Sequence, residues 1–167
     1  MTKLLLVCTV FAASLPLRAD QAAVRIEPTN LHGPRVLVKQ TETAVIQDYL
    51  ESWQSVDAAL GQNRVDLLDR DFVGTAKEKL TDTIQEQTKL GLTTRYQDRS
   101  HDIQIVFYSP EGLSIQLIDK VEYDMQLLDH DKVQTTQRVH ARYNVVLTPA
   151  EVRWRVRVFQ ADPESGS

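Results

Sequence analysis

The sequence predicts an α+β fold in which N-terminal helices pack on one face of a four-stranded antiparallel sheet. Two observations support this prediction. Apolar residues recur at three- and four-residue spacing between residues 41 and 90, and after Gly91 their period changes from 3.6 to 2 and stays there to Phe159. Turn signals divide this second half into strands with short connections, which is typical of an antiparallel meander.

The helical half contains two helices and a short segment between them. The first helix begins at Thr41 and stops at Gly61. The short segment is RVDLLDRDFV, residues 64–73, and the next helix begins at Thr75, where TAKE has the capping-box form with Glu78, and stops at Gly91. The apolar face of the first helix is the strongest helical signal in the chain: Val45, Ile46, Tyr49, Leu50, Trp53, Val56 and Leu60.

The strands are predicted near residues 93–108, 113–128, 133–147 and 151–160. SPEG at 109–112 and DHDK at 129–132 are tight turns, and Thr148-Pro149 forms the last corner. The triplet Asp129-His130-Asp131 is interpreted as turn residues and not as metal ligands, because neighbours at a hairpin tip rarely converge on one ion. Residues 161–167, ADPESGS, are expected to be a disordered tail.

The N-terminus predicts export. Residues 1–19, MTKLLLVCTVFAASLPLRA, join Lys3 to a short apolar run and end at Ala19, which suits cleavage of a signal peptide. The alternative is an uncleaved N-terminal segment, the case in which the chain would be anchored in a membrane. Residues 20–40 are expected to be an extended lead-in or tether, in which VRI and VLV could each add a short edge strand.

Charge and cysteine content narrow the classes of function. Cys8, inside the predicted signal, is the single cysteine, so the mature chain would form no disulfide; this fits a bacterial periplasm. Removing Lys3 and Arg18 leaves 17 basic and 23 acidic residues, a net charge of −6, which excludes a general nucleic-acid binder. No phosphate loop, paired-cysteine motif or Ser-His-Asp pattern occurs, so we expect no cofactor and no metal.

A resemblance to a known family appears in the order of these elements. A helix with Tyr49 and Trp53 on one face, a short helix around DLLDRDF, a helix ending in LG and four long strands closing on EVRWRVRVFQ resemble the nuclear transport factor 2-like superfamily. The resemblance covers residues 41–160 and implies a curved sheet that wraps around the helices as a cone. Enzymes, transport factors and secretion-system scaffolds all use that cone, so it implies no single activity.

Asp119 is the main candidate residue, because it occupies a position that should be buried within the alternating stretch GLSIQLIDKVEYDMQLL. Counting back from the DHDK turn places it opposite Ala141 or Tyr143. In one interpretation, the Tyr143 hydroxyl or a donor from the helix satisfies Asp119 inside a packed core. In a second, a slipped register leaves it in water.

In a third interpretation, Asp119 lines an open cavity at the mouth of the cone, where the resemblance implies acid–base groups. The candidate catalytic residues are then Asp119, Tyr143 and His101, although His101 is expected more often to be a strand-end residue. The lining of this cavity would be Tyr49, Trp53, Asp119 and Tyr143.

The outer face of the sheet is predicted to carry a row of cations. Five arginines are placed there, with His140 beside them and with Glu122 and Asp124 on a neighbouring strand: Arg138, Arg142, Arg153, Arg155 and Arg157. The face is either a solvated ladder of weak ion pairs or a positive surface for an acidic partner or an anionic membrane.

Two functions follow from these features. The first is an exported, non-catalytic binding or assembly domain that binds a partner protein or a small apolar ligand, or that self-associates through the outer sheet face. The alternative is a small cofactor-free isomerase, lyase or hydrolase with Asp119 as its acid–base residue. The difference between them is whether Asp119 lies in an open pocket or in filled core.

Overall fold

The computed structural model describes residues 22–29, 31, 33 and 35–163. The predicted α+β class is confirmed, with helices on one face of a sheet that has five strands where four were expected, in the order β1-β2-β3-β4-β5. The predicted signal peptide and residues 164–167 of the predicted tail lie outside the described residues. The elements are β1 (Ala23–Ile26), α1 (Lys39–Gln62), a 3-10 turn (Val65–Leu68), α2 (Gly74–Lys89), β2 (Leu92–Tyr108), β3 (Ile115–Asp129), β4 (Lys132–Pro149) and β5 (Trp154–Pro163).

The additional strand is β1, which contains the VRI sequence and pairs in parallel with β2, so the sheet is mixed. The VLV sequence at 36–38 forms no strand. Arg35 holds this part of the lead-in on the domain, since its guanidinium donates to the Pro110 carbonyl at 2.7 Å and lies over the Tyr108 ring. The described part of residues 20–40 is therefore packed on the domain and is not a free tether.

Helix α1 ends one residue later than its glycine suggested. Its C-terminal cap is Asn63, which has a left-handed backbone (φ 53°) and donates its N–H to the Ala59 carbonyl. Asparagine tolerates this conformation better than most residues. The Asn63 side chain also donates to the Leu92 carbonyl at 2.9 Å, and this bond connects the end of α1 to the start of β2.

The predicted capping box at the start of α2 does not form. The N-terminal cap is Val73, which has no side-chain capping bond, and the Thr75 hydroxyl instead donates to the Arg157 carbonyl at 3.1 Å. A tertiary contact with β5 thus replaces the local motif. The buried stripe of α2 is narrow, with Ala76, Ile84 and Gln87.

The register of the long strands follows from the tight turn between β3 and β4. His130 and Asp131 both have positive φ angles, as two-residue hairpin turns require. A register shift at Leu127/Leu128, where Gln134 is an extra residue, moves the pairing by one position, so Asp119 pairs with Tyr143, one of the two partners that the sequence predicted. Strand β5 continues to Pro163, so Ala161–Pro163 belong to the sheet and not to a disordered tail.

The core lies between α1 and the inner face of the sheet. Its largest fully buried side chains include Trp53, Tyr49, Phe72, Leu60 and Leu68. Within the described ranges, no helix is long and apolar enough to cross a membrane.

Candidate functional site

Asp119 lies at the centre of the core, on the inner face of β3, and is 0 % exposed. Three donors satisfy its carboxylate. The Tyr49 hydroxyl of α1 and the Nδ1 of His101 on β2 bind Oδ2 at 2.8 and 2.7 Å, and the backbone N–H of Asp102 binds Oδ1 at 3.1 Å. A buried carboxylate requires such compensation, so the network explains how Asp119 is tolerated among apolar neighbours.

His101 connects this carboxylate to a second one. Its ring is 3 % exposed, and its Nε2 lies 3.7 Å from Oδ2 of Asp98. Burial lowers the pKa of His101, but the neighbouring carboxylates of Asp119 and Asp98 raise it further, to about 9. At neutral pH His101 is therefore an imidazolium, whose Nδ1 donates to Asp119 and whose charge neutralises that carboxylate. The expectation of a strand-end histidine is wrong, because β2 begins at Leu92, nine residues before His101.

Tyr143 does not bind Asp119, although the two residues face each other across β3 and β4. Its hydroxyl lies 3.3 Å from the Tyr123 hydroxyl instead. The hydroxyl of a tyrosine lies much farther from Cβ than the carboxylate of an aspartate does. The Tyr143 hydroxyl therefore lies beyond the Asp119 carboxylate that faces it. Burial raises the pKa of Tyr143 far above its ordinary value, and the hydroxyl stays protonated.

Aromatic rings fill the space around this network. The Trp53 ring, 2 % exposed, lies 5.2–5.7 Å (centroid to centroid) from the rings of four residues. These are His101, Tyr123, Tyr143 and Phe159. The predicted cavity lining, Tyr49, Trp53, Asp119 and Tyr143, is at most 8 % exposed. The structure therefore places these residues in packed core, not in an open cavity.

This geometry limits the chemistry available to Asp119. A hydrogen-bonded Asp–His pair is an arrangement used for proton transfer. Here, however, the basic oxygen of Asp119 already has two donors, and His101 has a carboxylate at each nitrogen. Neither group faces a space in which a reacting atom could sit. The network is therefore a cross-link between α1, β2 and β3.

The surface next to α1 carries a different site, which we call the α1 groove. It lies between α1 and β1 and has a cavity volume of about 300 Å³. Ile46, Leu50 and Ile26 supply its apolar surface, and its other lining residues are Lys39, Thr43, Gln47, Glu51 and Gln54. Sequence analysis missed this groove because it assigned the whole apolar face of α1 to the core. Its only sequence signal is the apolar VRI segment, whose position depends on the pairing of β1 with β2.

A second, more polar cleft continues along α1 from the groove, with which it shares Glu51 and Gln54. Its volume is about 640 Å³, and Asp66 and Arg70 line its far side. Glu51 is already paired with Arg70 and Arg153. The cleft is therefore an internally neutralised ionic surface.

The five predicted arginines do not share one surface. Arg138 lies on the outer face, where its Nε is 3.2 Å from Asp124 and 3.5 Å from Glu122, and Arg142 occupies the same face. Arg153, by contrast, pairs with Asp71 and Glu51 on the helical side.

The other two arginines of this strand also contact the helical side. Arg155 donates to the Phe72 carbonyl at 3.0 Å, and Arg157 contacts Gly74. The placement of all five on one face is wrong because residues 151–153 form a bend and a register shift follows at Val146/Leu147. The predicted positive surplus on the outer face is lost with them.

Comparison with known proteins identifies a fold. No family model matches the chain, and no curated protein matches it. Among solved structures, the intermembrane space region of the chloroplast protein ARC6 is 18 % identical with a TM-score of 0.62, and covers 78 % of this chain and 100 % of its own. A protein of Novosphingobium aromaticivorans assigned as a scytalone dehydratase is 11 % identical with a TM-score of 0.51, covering 78 % of this chain and 99 % of its own.

Aln2 from a Streptomyces species is 11 % identical with a TM-score of 0.50, and the match covers 78 % of this chain and 95 % of that protein. Identities this low are informative about architecture only. Both the matched architectures and the element order of this chain point to the same arrangement of a curved sheet around helices. The chain therefore has the nuclear transport factor 2-like cone fold that its sequence resembles.

Proposed function

We propose that this protein is an exported, non-catalytic binding domain whose α1 groove holds a small apolar ligand or apolar side chains of a partner protein. The observation that carries the proposal is the filled centre of the cone. Asp119 is fully buried and bound by three donors, so the position at which this fold could hold an acid–base residue is occupied by structure.

The α1 groove has the properties that apolar recognition needs. Its volume of about 300 Å³ falls at the lower end of ligand sites, and three aliphatic side chains form its apolar wall, with five polar or charged residues around them. Exposed apolar residues extend the groove onto β1, where Val24 is 44 % and Ile26 is 48 % exposed. Exposed apolar surface next to a concave site favours binding, since burying it releases water.

The proposal that the protein is exported rests on residues 1–19. Their charged start, apolar run and final Ala19 follow the order of a signal peptide. An uncleaved segment would instead anchor the same domain at a membrane. The proposal also includes self-association through the outer face of the sheet. Among the described residues, this face carries charges of both signs and no positive surplus.

The groove is tested with the uncharged fluorescent probe N-phenyl-1-naphthylamine. Thr43→Glu places a carboxylate in the groove at an exposed helical position, where glutamate also favours helix formation. Because burying a charge beside an apolar ligand is costly, we expect the Kd of the probe to rise at least about tenfold.

The matched control is Gln85→Glu, which adds the same charge to an exposed position of α2 away from the groove. It should leave the Kd unchanged. Equal Kd values for the wild type and Thr43→Glu, with the melting temperature of both intact, would show that the groove is not the binding site.

One observation favours the alternative function. Asp119, His101 and Asp98 lie in a row from the core toward the surface, with a hydrogen bond between the first two and a 3.7 Å ion pair between His101 and Asp98. A conformational opening at Asp98 would expose a proton-transfer pair of the kind an isomerase, lyase or hydrolase needs. The sign of the change in melting temperature on Asp119→Asn separates the two functions.

A further inference from the structure

Strand β1 has one edge that is free of pairing with any residue the structure describes. It pairs with β2 on one side, all four of its residues are exposed, and none of the other described strands pairs with its second side. An unpaired edge presents backbone donors and acceptors that another extended chain can use.

The pairing with β2 shows which backbone groups these are. The N–H of Glu27 bonds to the Ile103 carbonyl at 2.8 Å, so Glu27 points its backbone groups toward β2. Since backbone direction alternates along a strand, Arg25 points the same way, and Val24 and Ile26 point away from β2. Two N–H and two C=O groups therefore face outward, and no described residue bonds to them.

The side chains of Val24 and Ile26 lie on the side of the sheet that faces the α1 groove. Val24 and Ile26 face His101 and Ile103 in the register, which are buried on the inner face, so they also lie on that side of the sheet. Ile26 forms part of the groove wall. A chain paired with the edge would hence direct every second side chain toward the groove.

We propose that the free edge of β1 and the α1 groove together bind an extended segment of a partner protein, which adds a sixth strand and places alternate aliphatic side chains in the groove. The proposal rests on the proposed function and names its ligand class. Main-chain hydrogen bonds would supply affinity, and the groove would supply the preference for aliphatic residues.

The dimensions fit such a segment. The groove follows α1 from Lys39 to Gln54, a helical distance of about 22 Å. An extended chain covers that distance with about seven residues. Gln54 adds a carboxamide without a hydrogen-bond partner among the described residues, which can bind a peptide group at the end of the groove.

Two other occupants fit less well. A hydrocarbon ligand has no groups for the outward N–H and C=O of Val24 and Ile26. A second copy of this chain would have to insert its own β1. In that copy, however, the Ile26 side chain already forms a wall of its own groove, so it is not available to fill the groove of the first copy.

The test uses the full chain labelled with ¹⁵N and the peptide acetyl-Lys-Ile-Ser-Val-Ser-Ile-Lys-amide. Amide–water exchange is measured by NMR at Val24 and Ile26. At a peptide concentration ten times its Kd, exchange at both amides should slow about tenfold, because only the free fraction exchanges. The amide of Glu27, which is already bonded to β2, should change little.

Matched peptides test the strand geometry. Two further peptides are made, one N-methylated at its odd-numbered residues and the other at its even-numbered residues. Each peptide keeps all its side chains and loses the backbone N–H donors of one edge. Only one phase should abolish binding, because an added edge strand uses one side of its backbone. Equal loss, or no loss, in the two phases would contradict strand addition.

The outcomes separate this inference from the proposed function. Displacement of N-phenyl-1-naphthylamine by the peptide without slower exchange at Val24 and Ile26 would overturn strand addition and leave the groove as a ligand site. Failure of both the probe and the peptide to bind the groove would overturn both. Slow exchange at these amides without peptide would also overturn the inference. In that case, dependence on protein concentration would assign the edge to a second copy, and independence would assign it to the chain's own residues.

Discussion

At the scale of single residues, the stability of Asp119 depends on a proton held by its neighbour. A buried charge is costly when it is alone and tolerable when it is paired and hydrogen-bonded. Tyr49, His101 and the Asp102 N–H supply three hydrogen bonds to the Asp119 carboxylate, and the imidazolium of His101 also supplies the opposite charge.

Asp119→Asn is expected to lower stability by on the order of 3 kcal/mol, since it leaves the His101 charge with only the Asp98 carboxylate, 3.7 Å away, and turns an amide N–H toward one of the donors. For a chain of this length, that loss corresponds to a fall in melting temperature of roughly 6–12 °C. Thermal unfolding followed by circular dichroism measures it, and probe binding at the α1 groove should be unchanged.

A strained, desolvated catalytic carboxyl would behave in the opposite way. Neutralising it would relieve the cost of burial, so the melting temperature of Asp119→Asn would hold or rise. That result would eliminate the purely structural role and favour the isomerase, lyase or hydrolase alternative.

His101 should make stability depend on pH. Its pKa is raised from 6.5 to about 9 in the folded protein, so between these values the folded state binds a proton that the unfolded state has released. The stabilisation is full below about pH 6.5 and is lost as pH rises through about 9. Its size is on the order of a few kcal/mol.

Urea unfolding at pH 6, 7.5 and 9 measures this dependence, with His101→Gln as the reference variant. The groups that face the imidazole are Asp119, Asp98 and Tyr49. The decline in unfolding free energy should be steep in the wild type and shallow in His101→Gln. Parallel curves would mean that His101 is neutral in the folded protein.

At the scale of elements, an ion pair and a backbone hydrogen bond hold the start of the last strand. Arg153, just before β5, reaches the carboxylate of Asp71, which is 1 % exposed and also accepts from the Ser55 hydroxyl. Trp154 donates its backbone N–H to Asp48 of α1 at 2.7 Å. These contacts connect the start of β5 to both α1 and the residues before α2, so they close the sheet edge onto the helices.

Arg153→Met should therefore cost about 3 kcal/mol, because it leaves the buried Asp71 carboxylate with a single, more distant cation, the Nε of Arg70 at 3.6 Å. The control is Arg138→Met, which removes an exposed pair with Asp124 and should cost less than about 1 kcal/mol. Chemical denaturation of both variants measures the difference. Similar losses for the two would contradict the assignment of Arg153 to the helical side.

At the scale of the whole molecule, a fold that serves many activities is combined here with a filled cone and an apolar groove outside it. The compartment in which the α1 groove meets its ligand depends on whether the N-terminal segment is a signal peptide. If residues 1–19 are a cleaved signal, the mature chain is released into an exported compartment with its β1 edge close to its new N-terminus.

The mature protein should begin near Asp20. Intact-mass spectrometry of material exported by a bacterial host measures this, and Ala19→Arg, which spoils the small residue before the cut, is the matched control. Exported wild-type protein that still carries Met1 to Ala19 would contradict cleavage and support an anchor.

Local periodicity was sufficient to predict most of the architecture. The helical spacing of Val45, Tyr49 and Trp53, the change to period 2 after Gly91 and the DHDK turn led to the α+β class and to Asp119 opposite Tyr143. These features are predictable because side-chain direction repeats within one element, and a tight turn places the two strands that it joins in register to within one residue, the amount by which Leu127/Leu128 shifts it.

The contacts of Asp119, the α1 groove and the location of Arg153 depended on the tertiary structure. His101 and Tyr49 reach Asp119 from elements 18 and 70 residues away in sequence, and the groove exists because β1 pairs with β2 beside α1. A bend at 151–153 redirected Arg153 from the outer face to Asp71. Each of these depends on how separate elements pack and on small irregularities in their register, neither of which has a period that can be read from the chain.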